Sequence, residues 1–327
     1  MNHLLFCTRT GASTLPTMIE SLLRVKGLRE RWRIIAVDNG STDGSRELLR
    51  AASRQLPLNV LSGADGGKNQ GLNLALDSAA SEISQSELVV FTDDDIVADP
   101  HWLDAMIDGA RASPQASMFG GSIEPRWPMP LPAWLETLDG VFDVLFARTH
   151  AIEGPCDAHH LYGPNMAIRG TVFAHGYRFD PRIGPTLSAT YRMGSETELV
   201  QRLERDGHRA VFVPAARVHH QVRAGQMSEQ FVLARARRHG LGQGELAARM
   251  PASHGLPLCT AHLGRLVASE TKSLLVHLPW WRARRVKVLY GRQWLRGFWQ
   301  GYWAHQIPPR RYPPAQQPSA PGAHTQP

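Results

Sequence analysis

The chain has 327 residues, 43% of them hydrophobic, enough for a sizeable core in one large domain or a domain with an appendage. A formal charge of +7 and a pI of about 9.7 favour anionic partners: nucleoside diphosphates, anionic lipids or nucleic acids. Three widely spaced cysteines (Cys7, Cys156, Cys259) exclude a disulfide framework and favour a reducing compartment, and no apolar run approaches the ~20 residues of a membrane span.

Met1-Asn2-His3 runs straight into Leu4-Leu5-Phe6, too short for the apolar region of a signal peptide and better read as part of a first strand, Leu4–Thr8. A helix is expected over Ser13–Val25, with Met18, Ile19, Leu22 and Leu23 on one face. Strand Arg33–Val37, helix Ser45–Arg54, strand Leu58–Leu61, helix Gln70–Ala80 and strand Leu88–Thr92 follow. Asp99 then reads as a helix cap with Pro100 at the first helical position, and Met118–Ile123 closes the series. Strands alternating with helices predict a mostly parallel sheet covered on both faces, with ligands beyond the strand carboxyl ends. Pro125, Pro128, Pro130 and Pro132 then mark a loop carrying Trp127 and Trp134. Later strands are expected at Tyr162–Arg169 and Ala210–Pro214, with a helix at Glu196–Arg205. From Ser228 the chain reads as helical and arginine-rich, and from Pro308 as a disordered proline- and glutamine-rich tail.

Asp93-Asp94-Asp95 is the most informative feature. It follows the apolar Leu88-Val89-Val90-Phe91, so three acids fall at the end of a buried strand. Carboxylates crowded there repel one another or take up protons. A divalent cation removes that cost; hard oxygen ligands suit Mg2+ or Mn2+, and such an ion usually meets a phosphate. The alternative is a solvated acidic turn. Val37-Asp38-Asn39-Gly40-Ser41-Thr42-Asp43-Gly44 also leaves a strand and enters a helix, so Asp38 could accept hydrogen bonds from a base or ribose. An Asn-Gly hairpin is the other reading of that turn. Gly66-Gly67-Lys68-Asn69-Gln70-Gly71 precedes a further helix whose N-terminus, with Lys68, could hold an anion. It lacks the spacing of a Walker loop and alone is no better than an ordinary glycine loop.

With these segments in place the chain resembles a family 2 nucleotide-sugar glycosyltransferase of the GT-A fold. The residues carrying the resemblance are Cys7-Thr8-Arg9, Val37 to Gly44, Gly67 to Asn73 and Phe91-Thr92-Asp93-Asp94-Asp95. Gly163-Pro164-Asn165-Met166-Ala167-Ile168-Arg169 resembles the family's acceptor-side strand. Gly194-Ser195-Glu196-Thr197-Glu198-Leu199, Val213-Pro214 and His219-His220 resemble its catalytic helix and closing strand. The order holds from about Leu4 to about Gly244.

The resemblance implies a Rossmann-like α/β sheet flanked by helices, with a GT-A catalytic domain over 1–225 divided into a nucleotide-binding half, 1–123, and an acceptor-binding half, 124–225. A basic, Trp/Arg-rich helical extension over 226–307 and the tail 308–327 would follow. Thr8, Arg9, Asp38, Asn39, Lys68, Asn69, Asp93 and Asp94 would serve the nucleotide sugar; Asp93, Asp95 and His220 would hold Mn2+ or Mg2+; Asn165 and Trp127 would lie on the acceptor side. Trp127 and Trp134 could stack on sugar rings or simply pack. Glu196 would match the catalytic base, and here the chain departs from the family: Ser195-Glu196 stands where Glu-Asp is usual. Ser195 to Glu198 has capping-box spacing, which predicts Ser195 as N-cap with Glu198 folded back; both glutamates capping a surface helix is the bland reading. A helix N-terminus lowers the pKa of Glu196 and a nearby diphosphate raises it.

His219 and His220 are strand neighbours, so at most one should face the cleft. Cys156, Asp157, His159 and His160 fit no strong zinc pattern. Over Pro279–His305, Trp280, Trp281, Trp294, Trp299 and Trp303 stand among Arg282, Arg284, Arg285, Lys287, Arg292 and Arg296, which suits a membrane-surface helix and a packed helix about equally; nucleic acid is a poorer third. The leading expectation is an inverting, metal-dependent glycosyltransferase. It would take a UDP-sugar to a glycan or glycolipid in polysaccharide or cell-envelope biosynthesis, in the cytoplasm or peripheral on the inner membrane face. A non-catalytic nucleotide-sugar-binding subunit and a nucleotidyltransferase are the alternatives, the latter disfavoured because Gly11-Ala12-Ser13-Thr14 lacks a basic glycine loop.

Overall fold

The computed structural model describes residues 1–63, 67–149, 151–186, 190–249, 262–266, 268–273 and 285–306. Nine strands form one sheet: β1 (Asn2–Thr8), β2 (Trp32–Asp38), β3 (Leu58–Ser62), β4 (Val89–Phe91), β5 (Ile96–Ala98), β6 (Met118–Arg126), β7 (Gly154–Cys156), β8 (Met166–Ile168) and β9 (Ala210–Gln221). The order is β3-β2-β1-β4-β8-β6-β9-β5, with β7 on β9. β3, β2, β1 and β4 run parallel, as do β6 and β9, while β8 is antiparallel to β4 and β6. The main helices are α1 (Leu15–Leu23), α2 (Ser45–Ala52), α3 (Lys68–Ser78), α4 (Trp102–Ala112), α5 (Ser195–Arg205), α6 (Glu229–Ala248) and α7 (Arg285–Gln306).

The near-continuous apolar runs of β1 and β2 follow from burial on both faces. Leu4, Phe6, Ile34, Ala36 and Val90 enter one core with Met18, Leu22 and Trp102. Their neighbours Leu5, Ile35, Val37, Val89 and Phe91 enter the opposite core with Leu72, Leu76 and Leu199. This is the period-two alternation of a strand. The parallel register sets Thr8 beside Asp38 and Leu5 beside Phe91, so the carboxyl ends of β1, β2 and β4 open on one edge.

Three segments differ from expectation, each for a local reason. Asp99 does not cap α4: its carboxylate accepts from the His101 amide at 2.9 Å, closing a turn, and the helix starts at Trp102. Tyr162–Arg169 is a strand only at Met166–Ile168, because Gly163–Asn165 forms a 3-10 turn around Pro164. β9 continues past Pro214 to Gln221, since a bulge lets the chain pass a residue with no N–H: Gly121 faces Val213, but Ser122 faces Arg217.

Asn165 secures that bulge. It is fully buried; Oδ1 accepts from Trp102 Nε1 at 2.7 Å, and Nδ2 donates to Ser122 O at 3.0 Å and Ala216 O at 2.9 Å. Trp127 packs on Phe142 and Phe146 in a separate apolar cluster with Trp134, its ring centroid 4.8 Å from that of Phe146.

In the C-terminal region α6 and α7 lie in close contact through glycines: a Cβ on Gly240 would strike the carbonyl oxygen of Trp294, and one on Gly297 that of Arg237. Trp294 stacks on Phe298 and donates to His239 at 3.1 Å, Arg292 and Arg296 pair with Glu270, and Trp303 is 57% exposed. Among the described residues no helix is long and apolar enough to cross a membrane. Trp280, Trp281, Arg282, Arg284, Cys259 and the tail 308–327 lie outside the described residues.

Asn165→Ala strands the indole N–H and two carbonyls together. The expected loss is about 3 kcal/mol of unfolding free energy, measured by urea denaturation; a loss under about 0.5 kcal/mol would show that those bonds do not hold the bulge.

Candidate active site

A cleft of about 570 Å³ opens where β1, β2 and β4 end, lined among others by Thr8, Arg9, Asn39, Lys68, Asp93 and Asp94. The sheet brings these residues together from four separate stretches of chain. Asp38 and Asn69 are close by but not on the wall. Asp38 is fully buried; Oδ1 accepts from the Ser41 amide at 3.0 Å and Oδ2 from Arg46 Nε at 2.6 Å. Burial alone would raise its pKa, but these bonds hold it below the usual carboxylate range. Its visible role is to fix the Asn39-Gly40-Ser41 turn. Asn39 Nδ2 donates to Gly67 O at 3.1 Å, and Asn69 Nδ2 donates to Asp180 O at 2.8 Å, tying α3 to the segments beside it.

The acid triplet splits three ways. Asp94 accepts a hydrogen bond from the Thr8 hydroxyl. Asp93 Oδ1 lies 2.5 Å from Lys68 Nζ, which also reaches Glu196 Oε1 at 2.5 Å. Asp95 turns the other way, with Oδ2 3.3 Å from His220 Nε2 and Oδ1 buried without a hydrogen-bond partner. Burial, then the charges of Asp95 and Asp93, push Asp94 up to about 7 despite the Thr8 bond. Asp93 is also raised, chiefly by burial.

The Asp95–His220 contact tests whether a cation fits. His220 Nδ1 lies 2.8 Å from Phe146 O, and a carbonyl can only accept, so Nδ1 carries a proton. Nε2 therefore meets the Asp95 carboxylate either as an imidazolium or with its lone pair. In the latter case two acceptors and the orphaned Oδ1 converge, a donor set that demands a cation. A histidine whose second nitrogen is pinned by a carbonyl is the usual supporting arrangement for a metal ligand. Without an ion, Asp95 raises the His220 pKa against the lowering effect of burial. His219 points away towards Glu124, at 3.9 Å.

Glu196 sits at the start of α5, but the capping box does not form. The N-cap is Gly194, in the left-handed region at φ 105°, and Glu198 pairs with Arg202 at 3.0 Å instead of folding back. Ser195 is thus freed to donate to Glu196 Oε2 at 2.6 Å. Gly163 makes room for the longer side chain, since a Cβ there would strike Glu196 Oε1. Burial raises the pKa of Glu196, but Lys68 and Ser195 outweigh it and the carboxylate is held low.

Sequence reasoning did not single out Arg46, which neutralises Asp38, nor Tyr191 and Arg223 on the cleft wall. Arg223 Nη2 is 4.0 Å from Asp95 Oδ2 and follows His220 by three residues, the only signal it offered. Trp127 lines a separate hollow with Arg148 and Asp139, away from the main cleft. Asp157, His159 and His160 bring one ligand atom each within 4.8 Å of one another on the surface, closer than their spacing implied.

The strand order, the crevice at the carboxyl ends and the acidic turn define a GT-A glycosyltransferase fold. The mannosyltransferase PcManGT from Pyrobaculum calidifontis, solved with GDP-Man and Mn2+, superposes with a TM-score of 0.59 at 16% identity, covering 91% of this chain and 86% of that one. S. aureus TarS 1-349 in complex with UDP-GlcNAc gives 0.53 at 14% identity, covering 93% and 91%. The glycosyl transferase family 2 model matches residues 4–175, more than half of the chain, and the chain belongs to that family. A curated relative, the glucosyl-dolichyl phosphate glucuronosyltransferase of Haloferax volcanii, is 24% identical over 159 residues, 47% of this chain and 49% of the relative. The match thus spans about half the length of that relative.

The raised pKa of Asp94 predicts the sign of a pH effect. Between about 4 and about 7 this carboxyl holds more proton in the folded chain than in the unfolded one, so its own contribution to metal-free stability falls as pH rises through that window, against the opposite contribution of His239, which burial lowers to about 4. The raised His220 contributes in the same direction above about 6.5. Asp94→Asn should remove that contribution and make the slope more positive by up to roughly 1 kcal/mol per pH unit, read from urea titrations of both proteins at pH 5 and 7.5 in chelator. An Asp94→Asn protein whose slope equals that of the wild type would contradict this electrostatic picture.

Proposed function

We propose that the protein is an inverting, metal-dependent glycosyltransferase that moves a sugar from a nucleoside-diphosphate donor to an acceptor hydroxyl. The observation carrying this reading is the division of labour at the end of β4: Asp95 and His220 form a buried cation-ready pair, while Lys68 joins Asp93 to Glu196. Asp95 and His220, with Asp93, would hold Mn2+ or Mg2+, which supplies charge neutralisation for the donor diphosphate.

Thr8, Arg9, Asn39 and Asp94 line the space for the nucleotide sugar, with Asp38 and Asn69 shaping the turns behind it. Glu196 takes the proton of the acceptor hydroxyl. That oxygen then bonds to the anomeric carbon as the bond from carbon to the diphosphate oxygen breaks, and the nucleoside diphosphate departs. Attack and departure occur on opposite faces, hence inversion. Lys68 keeps Glu196 ionised in the resting enzyme and lies beside the leaving charge. The contact of Glu196 with Lys68 on the cleft wall favours a catalytic over a purely binding role despite the altered motif.

A UDP-sugar is the favoured donor, supported by the UDP-GlcNAc complex of a fold neighbour; GDP-Man in the other neighbour marks the alternative base. A glycan or lipid-linked acceptor is favoured by the name of the curated relative, with the enzyme cytoplasmic or peripheral on the inner membrane face in cell-envelope polysaccharide synthesis. Residues 1–225 would form the catalytic domain, with 124–225, including Asn165 and Trp127, as its acceptor half and 226–307 as the extension.

Glu196→Gln should lower turnover by at least about 100-fold while donor binding, followed by thermal shift with Mn2+, stays at the wild-type level. Asp95→Ala should abolish metal-dependent transfer. Wild-type turnover by Glu196→Gln would remove that residue from the mechanism.

A further inference from the structure

Several buried or half-buried arginines near the cleft have an acid partner, whereas Arg9 on its wall has none among the described residues. Arg46 pairs with Asp38, Arg192 with Glu245, and Arg202 with Glu198. Arg235 and Arg238, one turn apart on α6, are different: among the described residues neither makes an ion pair. Both are half-buried, and Arg238 Nε is buried with no hydrogen-bond partner. Arg235 donates only to a neutral group, Val144 O, at 2.8 Å. Arg238 lies with its guanidinium carbon 4.9 Å from the ring centroid of Tyr191, which lines the cleft. Two neighbouring guanidiniums, partly removed from water without a counter-charge, cost stability unless an anion joins them.

Neither arginine is on the cleft wall, but their contacts tie them to the segments that carry His220, Glu196 and Tyr191. Arg235 grips the turn whose Phe146 carbonyl holds His220. The Arg238 carbonyl accepts from the Met193 amide at 3.3 Å, three residues before Glu196. The pair therefore braces the candidate metal residue on one side and the candidate base on the other. Two guanidinium forks present more donors than the two oxygens of a carboxylate can accept; a phosphate, with three free oxygens, matches them better.

We propose that Arg235 and Arg238, with Tyr191 on the cleft wall, form a phosphate subsite that α6 contributes to the active site. This rests on the transferase reading above. The phosphate has two possible sources, the leaving diphosphate of the donor or a phosphate carried by the acceptor, and one set of measurements separates them. Wild type, Arg235→Gln, Arg238→Gln and the charge-preserving Arg238→Lys are titrated with UDP and with uridine in Mg2+. Each protein, saturated with UDP, is then titrated with octyl phosphate and with octyl glucoside as the uncharged control.

For a donor-borne phosphate, both glutamine variants weaken UDP by at least about tenfold and leave uridine unchanged. For an acceptor-borne phosphate, UDP affinity is unchanged and octyl phosphate, but not octyl glucoside, weakens by a similar factor. Arg238→Lys restores part of either loss. Unchanged affinity for UDP and octyl phosphate in both glutamine variants, at wild-type melting temperature, overturns the subsite. So does a parallel loss of uridine and octyl glucoside, which marks a purely structural role. Failure of the wild type to bind UDP counts against the transferase reading instead, and octyl phosphate binding then still reports on the arginines.

Discussion

The crowding of carboxylates at the end of β4 is the constraint on which the rest of the site depends. Asp93, Asp94 and Asp95 leave a strand buried on both faces, and Glu196 is brought to within one lysine of them by α5. In the low dielectric of that crevice, four such groups cannot all remain charged without compensation. The chain answers with a separate device for each: a hydroxyl on Asp94, an ammonium shared by Asp93 and Glu196, and an imidazole against Asp95. The first raises no charge of its own, which leaves Asp94 with the perturbed titration, while the third leaves one carboxylate oxygen unsatisfied. Under the proposed function, a doubly charged ion and the donor diphosphate would enter against this balance of charges.

The parallel half of the fold was legible in the sequence because its signals are local. Apolar runs such as Leu4-Leu5-Phe6 and Ile34-Ile35-Ala36-Val37 mark strands buried on both faces, and the polar turns after them mark strand ends. The second half was less legible. Pro214 stops a strand when read locally, yet β9 passes it through a bulge against β6, where Asn165 caps the carbonyls of Ser122 and Ala216 from 43 and 51 residues away. Likewise Ser195-x-x-Glu198 has capping-box spacing, but Gly194 can adopt a left-handed conformation and Arg202 offers Glu198 a better partner. Tertiary competition decided both.

Within the site, acids and the lysine could be named from their positions after strands or before helices. Their pairing could not, because Lys68 and Glu196 are separated by 128 residues. Arg46, Arg223, Arg235 and Arg238 were hidden in a chain already rich in arginine, where only the fold shows which guanidiniums face an acid and which do not. The tryptophans of α7 illustrate the same limit. Trp294 is committed to His239 and Phe298 while Trp303 stays exposed, a distinction that helical spacing alone does not give.

The Asp95 side of the acidic turn is proposed to be built for a divalent cation. Crystals soaked with Mn2+ and UDP, measured at the manganese absorption edge, test it most directly. The expected result is an anomalous peak bonded to an Asp95 carboxylate oxygen, with His220 Nε2 as a second ligand. Manganese found only at the surface group of Asp157, His159 and His160, with the Asp95–His220 pair unchanged, would contradict it.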